Sequence, residues 1–313
     1  KTYDFKIIHC RSYLSALVGL RMKRSFGTKF LFDMRGFWAN ERVDGNIWSL
    51  GNPVFKTVYN FFKKKELQFF SQADYTISLT HNGKNEIESW PAFKSNPPKI
   101  EVIPCCVDLN LFDPTTISET KQNELRKQLN IEPSDFILGY VGSIGTWYML
   151  PEMLDYFKIL KTENSNAKFL FVTGENPSTI LTKASEKGID AESIIITSCR
   201  HAEVPLNISL FSASIFFIRP SYSKKASSPT KQGEIMAMGI PLVCNAGVGD
   251  TDLVVKQYNA GIVIDEMNET NYRSSLINES CYNRTSTMKG SHEFYGLEVG
   301  VERYLRVYQK LLN

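Results

Sequence analysis

Hydroxyl, cationic and carboxylate side chains crowd the stretch Arg219-Pro-Ser-Tyr-Ser-Lys-Lys-Ala-Ser-Ser-Pro-Thr-Lys-Gln-Gly-Glu234. An apolar run, Ser214 to Ile218, leads into it, and a helix is expected to open near Pro229-Thr230. Free amides project from a helix N-terminus, so the loop before one is a place where an anion settles. Ser227, Ser228 and Thr230 add hydroxyl donors, Lys231 adds a positive charge in the first turn, and Arg219 stands where the strand ends. A diphosphate suits that set, each charge-assisted hydrogen bond being worth ~1.5–3 kcal/mol. The plain alternative is a capped helix with a solvated lysine, although Lys in a first turn opposes the helix dipole and gains nothing structurally. Glu234, three residues on, shares the helix face of Lys231. Its carboxylate can accept two ribose hydroxyls, or simply pair with Lys231.

Two earlier loops are also rich in chemistry. His9-Cys-Arg11-Ser-Tyr13 follows one apolar run, and Phe32-Asp-Met-Arg-Gly-Phe-Trp-Ala-Asn-Glu-Arg-Val-Asp-Gly45 follows another. The second sets Asp33, Arg35, Asn40, Glu41, Arg42 and Asp44 among Phe37 and Trp38. Aromatics with paired charges suit a ligand carrying hydroxyls or phosphates, and they equally describe a polar surface loop with one Trp anchor. Gly142-Ser143-Ile144-Gly145 lacks the full dinucleotide fingerprint and reads as a turn that lets the backbone approach a phosphate. Trp147 and Tyr148 beside it either stack on a sugar or pack beneath the turn. Asp250-Thr-Asp252 mimics a metal-binding pair but opens a helix, where capping is the plainer role.

Short β-branched or aromatic runs alternate with helix-length amphipathic stretches along the whole chain, the rhythm of parallel sheets with crossover helices. Strands are predicted at Phe5 to His9, Lys29 to Asp33, Tyr75 to Leu79 and Lys99 to Ile103, with helices at Ser12 to Arg24 and Pro53 to Gln72. Asp113-Pro114 closes that half, and a polar helix, Ser118 to Leu129, leads away from it. Five further strands, starting at Phe136, Lys168, Ser193, Ser214 and Pro241, make a complete Rossmann-like unit. A last amphipathic helix runs from Gly296 to Leu312. The domains expected are 1–132, which is incomplete with its four strands, then 133–290, then a segment 291–313 packing back toward the junction. The start, without Met or a signal-like apolar core and already entering a strand, reads as a beginning in mid-protein.

At 313 residues there is material for two cores, and a net charge of +3 gives no argument for nucleic acid. No apolar run approaches a membrane span. The six cysteines lack zinc-site spacing and read as free thiols in a reducing, cytoplasmic compartment. The helix 53–72 carries Phe55, Phe61, Phe62, Phe69 and Phe70 beside Lys56, Lys63, Lys64 and Lys65. It reads either as core-facing with a basic edge or as a peripheral contact with an anionic membrane.

The segment SSPTKQGEIMAMGIPLVCNAGVGD resembles the donor-site signature of retaining group 1 (family 4) glycosyltransferases of GT-B fold. EVIPCCVDLNLFDP, ILGYVGSIGTWYMLPEML and HAEVPLNISLFSASIFFIRPS resemble three more motifs of that family, in the right order. The resemblance implies two Rossmann-like domains facing a cleft, the N-terminal one incomplete here. It implies metal-independent transfer of a sugar, with retention, from a nucleotide-diphosphate sugar to a glycan or lipid-linked acceptor, with no cofactor, in cell-surface polysaccharide assembly. Donor contacts would come from Gly142, Ser143, Arg219, Ser227, Ser228, Thr230, Lys231 and Glu234, with Lys231 and the helix amides steadying the leaving diphosphate. Asp33 or Glu41 would supply a carboxylate near the reacting hydroxyl, and His9, Arg11, Arg35, Trp38 and Arg42 would face the acceptor. The chain departs from the pattern where Ala226 replaces a second Glu, Cys105-Cys106 replaces Asn-Gly, and Asp33-Met-Arg35-Gly36 replaces a His-bearing loop. A nucleotide-sugar 2-epimerase and a non-catalytic carbohydrate- or partner-binding protein are the alternatives.

Overall fold

A computed structural model describes residues 5–313. The first sheet is parallel and runs in chain order: β1 (Ile7–Arg11), β2 (Lys29–Asp33), β3 (Tyr75–Ser78) and β4 (Ile100–Val102). The crossovers are α1 (Ser12–Phe26), then α2 (Trp38–Asp44) with α3 (Pro53–Gln72), then α4 (His81–Ser89). Phe30, Leu31 and Phe32 are wholly buried, since a parallel strand is covered on both faces and must be apolar on both. In α3, Asn52 caps by accepting from Val54 N ahead of Pro53, the residue best suited to a first helical position. Its Phe62, Phe69 and Phe70 turn inward, so most of the aromatic stripe is core, and Val54, Phe61 and Leu67 are what remains exposed.

After α5 (Glu119–Gln128) come six parallel strands: β5 (Phe136–Val141), β6 (Ala167–Val172), β7 (Ile194–Thr197), β8 (Ala213–Phe216), β9 (Leu242–Asn245) and β10 (Gly261–Ile264). Their lateral order is β10-β9-β8-β5-β6-β7. The sequence pattern predicts five strands here; the sixth, β10, is short and only half-buried, too weak a run to stand out. The helices are α6 (Leu150–Glu163), α7 (Pro177–Glu186), α8 (Val204–Ile208), α9 (Thr230–Ala237), α10 (Thr251–Gln257), α11 (Glu269–Ser274) and α12 (Arg284–Gly290). The strand order reverses between β5 and β8, and ligands of open α/β sheets enter the crevice at such a point.

A π-helical turn, Ser291–Tyr295, then delivers α13 (Leu297–Leu312) back onto the first sheet. There Val307 and Leu311 pack on Leu31, Ile77 and Ile103. The two stretches of chain that cross between the halves lie side by side. Val107 N donates to Tyr295 O at 2.8 Å, and Leu297 N donates to Val107 O at 3.0 Å. Among the described residues no helix is long and apolar enough to cross a membrane, and the cysteines are unpaired.

Candidate functional site

Lys231 stands at the point where the second sheet changes direction. Gly142, just beyond β5, turns with φ 107°, and a side chain there would begin 3.1 Å from Lys231 Nζ. The angle favours glycine, and any side chain there would push the lysine tip aside. The ammonium donates to Tyr140 Oη at 3.1 Å and sits over the rings of Tyr140, at 4.1 Å, and Tyr148, at 3.7 Å. Tyr140 in turn donates to Ser143 O at 2.6 Å, fixing the turn. Lys231 is buried and, among the described residues, makes no ion pair. Burial pulls its pKa down to about 7, against a smaller opposing pull from the charge of Glu234. A cation largely stripped of water and given one phenol oxygen and two π faces, but no carboxylate, is poised for an anion.

Glu234 pairs with His201 Nε2 at 3.5 Å rather than with Lys231. Burial raises its carboxyl above the usual range. His201 is exposed and meets the ring of Phe112 edge-on at 5.7 Å. Ser227 and Ser228 face a cavity between the halves, and Ser228 Oγ accepts from Cys105 N at 3.1 Å, while Thr230 is exposed to solvent. The sequence gives no signal for Tyr140, which sits in a run of strand residues, or for His201, which is distant along the chain.

The loop after β8 reaches across to the first half. Arg219 Nη2 donates to Asp44 O at 2.5 Å, and Ser223 N donates to Asp44 Oδ2 at 2.9 Å. Lys224 pairs with Glu41 at 2.9 Å, and Lys225 pairs with Glu86 at 2.7 Å. Trp147 lies under both Lys224, at 3.7 Å, and Arg219, at 5.1 Å, and presses so closely on Gly45 that a side chain there would begin 3.0 Å away. Ala226 is wholly buried in the core of the first half, facing Gly36 and Gly83. Asp250 accepts from His81 N at 2.6 Å and Asn82 N at 3.0 Å. It therefore caps α4 of the other half, not its own helix. Among the described residues no cluster of three or more His, Cys, Asp or Glu is placed to hold a metal ion. The cavity under this loop measures about 240 Å³ and is lined by Arg35, Glu41, Trp147, Tyr148, Lys224 and Ser228, among others. That is below the ~300–1,000 Å³ of small-molecule sites. A larger cavity of about 750 Å³, near Asp74 and Lys310, lies at the opposite edge of the first sheet, where the strands begin.

Residues 121–278 match the family described as glycosyl transferases group 1. The chain belongs to that family. A D-inositol 3-phosphate glycosyltransferase from Segniliparus rotundus is 23% identical over 280 residues, covering 85% of this chain and 56% of the relative. The chain thus spans little more than half the length of that protein. The structure of sucrose-phosphate synthase from Thermosynechococcus elongatus superposes with a TM-score of 0.76 at 17% identity, over 99% of this chain and 75% of that one. A glycosyltransferase from Rickettsia africae gives 0.71 at 14% identity, over 98% and 77%. WaaG, a glycosyltransferase involved in lipopolysaccharide biosynthesis, gives 0.61 at 13%, over 93% and 80%. These likenesses establish the GT-B-like architecture of two Rossmann-like units.

In this group 1 chain the first-half candidates do not gather at one place. Arg35 lines the cavity with Glu41, but Glu41 is engaged with Lys224 rather than free beside a reacting hydroxyl. Asp33, expected as a catalytic carboxylate, is tied to α13 instead. Its Oδ2 accepts from Tyr304 Oη at 3.0 Å and stands 3.7 Å from His9 Nε2, while Oδ1 is buried without a partner. His9 also meets Tyr308 Oη at 2.8 Å, so it too is turned to α13. Trp38 packs against Tyr13, Trp48 and Phe62, with Arg42 stacked on its outer face, and neither lines the cavity. Arg11 is exposed at the end of β1. No amphipathic pattern reveals that α13 claims Asp33 and His9, because the contact joins residues from opposite ends of the chain.

Proposed function

We propose that this chain transfers a sugar, with retention and without a metal, from a nucleoside-diphosphate sugar to a glycan or lipid-linked acceptor. Residues 1–132 would form the acceptor side, 133–290 the donor side, and 291–313 the return to the junction. The observation that carries the reading is Lys231, a buried cation without a carboxylate partner among the described residues, beside the N-terminus of α9 at the β5/β8 crevice. A diphosphate lying there would gain the lysine and the free amides of α9, and the same groups would stabilise the charge it develops on leaving. Glu234 and His201 would hold the ribose. Gly142, Ser143, Arg219, Ser227, Ser228 and Thr230 are the further donor candidates. Val54, Phe61 and Leu67, exposed beside Lys56 and Lys64 on α3, support peripheral contact with an anionic membrane where lipid-linked acceptors lie.

Calorimetric titration with UDP, GDP and their sugars tests this. Saturable binding is expected, at least about tenfold weaker in Lys231→Met and in Glu234→Ala, since one lost charge-assisted bond is worth ~1.5–3 kcal/mol. At pH 8 the free Lys231 is mostly neutral, and an incoming diphosphate favours its charged form, so binding takes up a proton. Titrations in buffers of different ionisation enthalpy read that uptake, which Lys231→Met abolishes. The same substitution raises stability at pH 7 and below. Its advantage fades as pH climbs toward the ordinary lysine range, because there the unfolded chain holds a proton that the folded one has released. Failure of folded wild-type protein to bind any nucleotide sinks the proposal. Binding without transfer or donor hydrolysis favours the non-catalytic reading, for which the burial of Ala226 in place of a second Glu is the supporting observation.

A further inference from the structure

Among the described residues, Arg35 is the one cavity-lining cation whose position the donor site leaves unexplained. It follows β2 in the first half, across the cavity from the loop that carries Ser227 and Ser228. Its backbone is left-handed, with φ 60°, a conformation a non-glycine residue holds only against strain, and such strain collects at ligand sites. Among the described residues its guanidinium donates only to Cys105 Sγ, at 3.4 Å, and no carboxylate pairs with it. The other cavity-lining charges are already matched, Lys224 with Glu41. Half-buried and facing a thiol, Arg35 has its planar fork of donors unmet by any oxyanion, the partner that fork fits best.

We infer that Arg35 selects an acceptor bearing an anionic group, a phosphate or a carboxylate, on the sugar presented to the first half. This rests on the transferase reading above and deepens it, since the diphosphate is assigned to Lys231 and leaves Arg35 for the second substrate. The left-handed turn sets Arg35 in the cavity wall beside Gly36, whose φ of 124° suits glycine and where a side chain would begin 3.6 Å from Ala226 O of the opposing loop.

The test is binding of glucose, glucose 6-phosphate, glucuronate and inorganic phosphate to the full chain, with and without the nucleotide that titrates best. The two anionic sugars are expected to bind at least about tenfold more tightly than glucose and than inorganic phosphate. Arg35→Met removes that preference while nucleotide affinity stays within about twofold. Arg35→Lys keeps part of it, more for the phosphate than for the carboxylate, because a point charge cannot match a planar group in two bonds. Arg35→Gly relieves the backbone strain, so it melts no lower than wild type while losing the anionic sugars, which separates recognition from folding. Equal binding of glucose, equal binding of inorganic phosphate, or a preference untouched in Arg35→Met would each overturn the inference. Loss of nucleotide binding in wild type alone bears on Lys231 and the transferase reading, not on the anion preference.

Discussion

The two halves meet along two seams of opposite character. On one, α13 lays Val307 and Leu311 on Leu31, Ile77 and Ile103, and Cys106 presses so close to Gly300 that a side chain there would begin 2.3 Å from its sulfur. On the other, the loop after β8 is held by Lys224–Glu41, Lys225–Glu86 and the Asp44 hydrogen bonds, and the loop after β9 by the Asp250 hydrogen bonds to α4. An apolar seam is indifferent to salt and loses its area only by unfolding, whereas partly exposed ion pairs exchange readily with water. The crossing strands at Val107 and Gly296 lie next to the apolar seam. The chain is thus built as a hinge at one side and a polar clasp at the other, with the small cavity beneath the clasp.

Breaking the hinge gives the largest effect. Leu311→Ala is expected to cost ~2–5 kcal/mol of unfolding free energy in urea, as buried leucines do; a loss within experimental error would show that α13 is not docked in solution. Next comes the best-formed bond of the clasp. Asp250→Ala leaves two amides at the start of α4 uncapped and should cost ~0.5–2 kcal/mol, with a larger radius of gyration in small-angle scattering. An unchanged radius would mean that the clasp does not set the spacing of the halves. Smallest is Lys224→Ala, at ~0–1 kcal/mol because Glu41 stays solvated. Its effect should shrink further in high salt, and a salt-independent effect would place its weight in the Trp147 contact rather than in the ion pair.

Much of this architecture is legible in local sequence pattern. The two series of alternating runs, the positions of α3 and α13, and the loop that carries Lys231 all follow from it. Parallel strands must be apolar on both faces, and a lysine in a first helical turn has no local reason to be there. The short helices α2 and α4 are not legible in the same way. Their sequences, such as Trp-Ala-Asn-Glu-Arg-Val-Asp, are polar and too short for periodicity, and one end of each is met from the other half of the molecule, by Arg219 on Asp44 O and by Asp250 on the first amides of α4. Asp33 and Glu41 read equally well as free carboxylates, and nothing local says that Tyr304 and Lys224 engage them.

Fold class, the strand-by-strand order of elements and the loop where an anion would settle are properties of the chain read along its length, since each depends on residues near one another in sequence. Which charges stay unmatched is a property of the folded molecule alone. Lys231 and Arg35 keep no carboxylate among the described residues, while Glu41, Asp33 and Asp250 are engaged. That pairing depends on which loops the two sheets bring together from distant parts of the chain. Burial then fixes what each charge costs, and a buried cation left over after that pairing is where a ligand's charge is worth most.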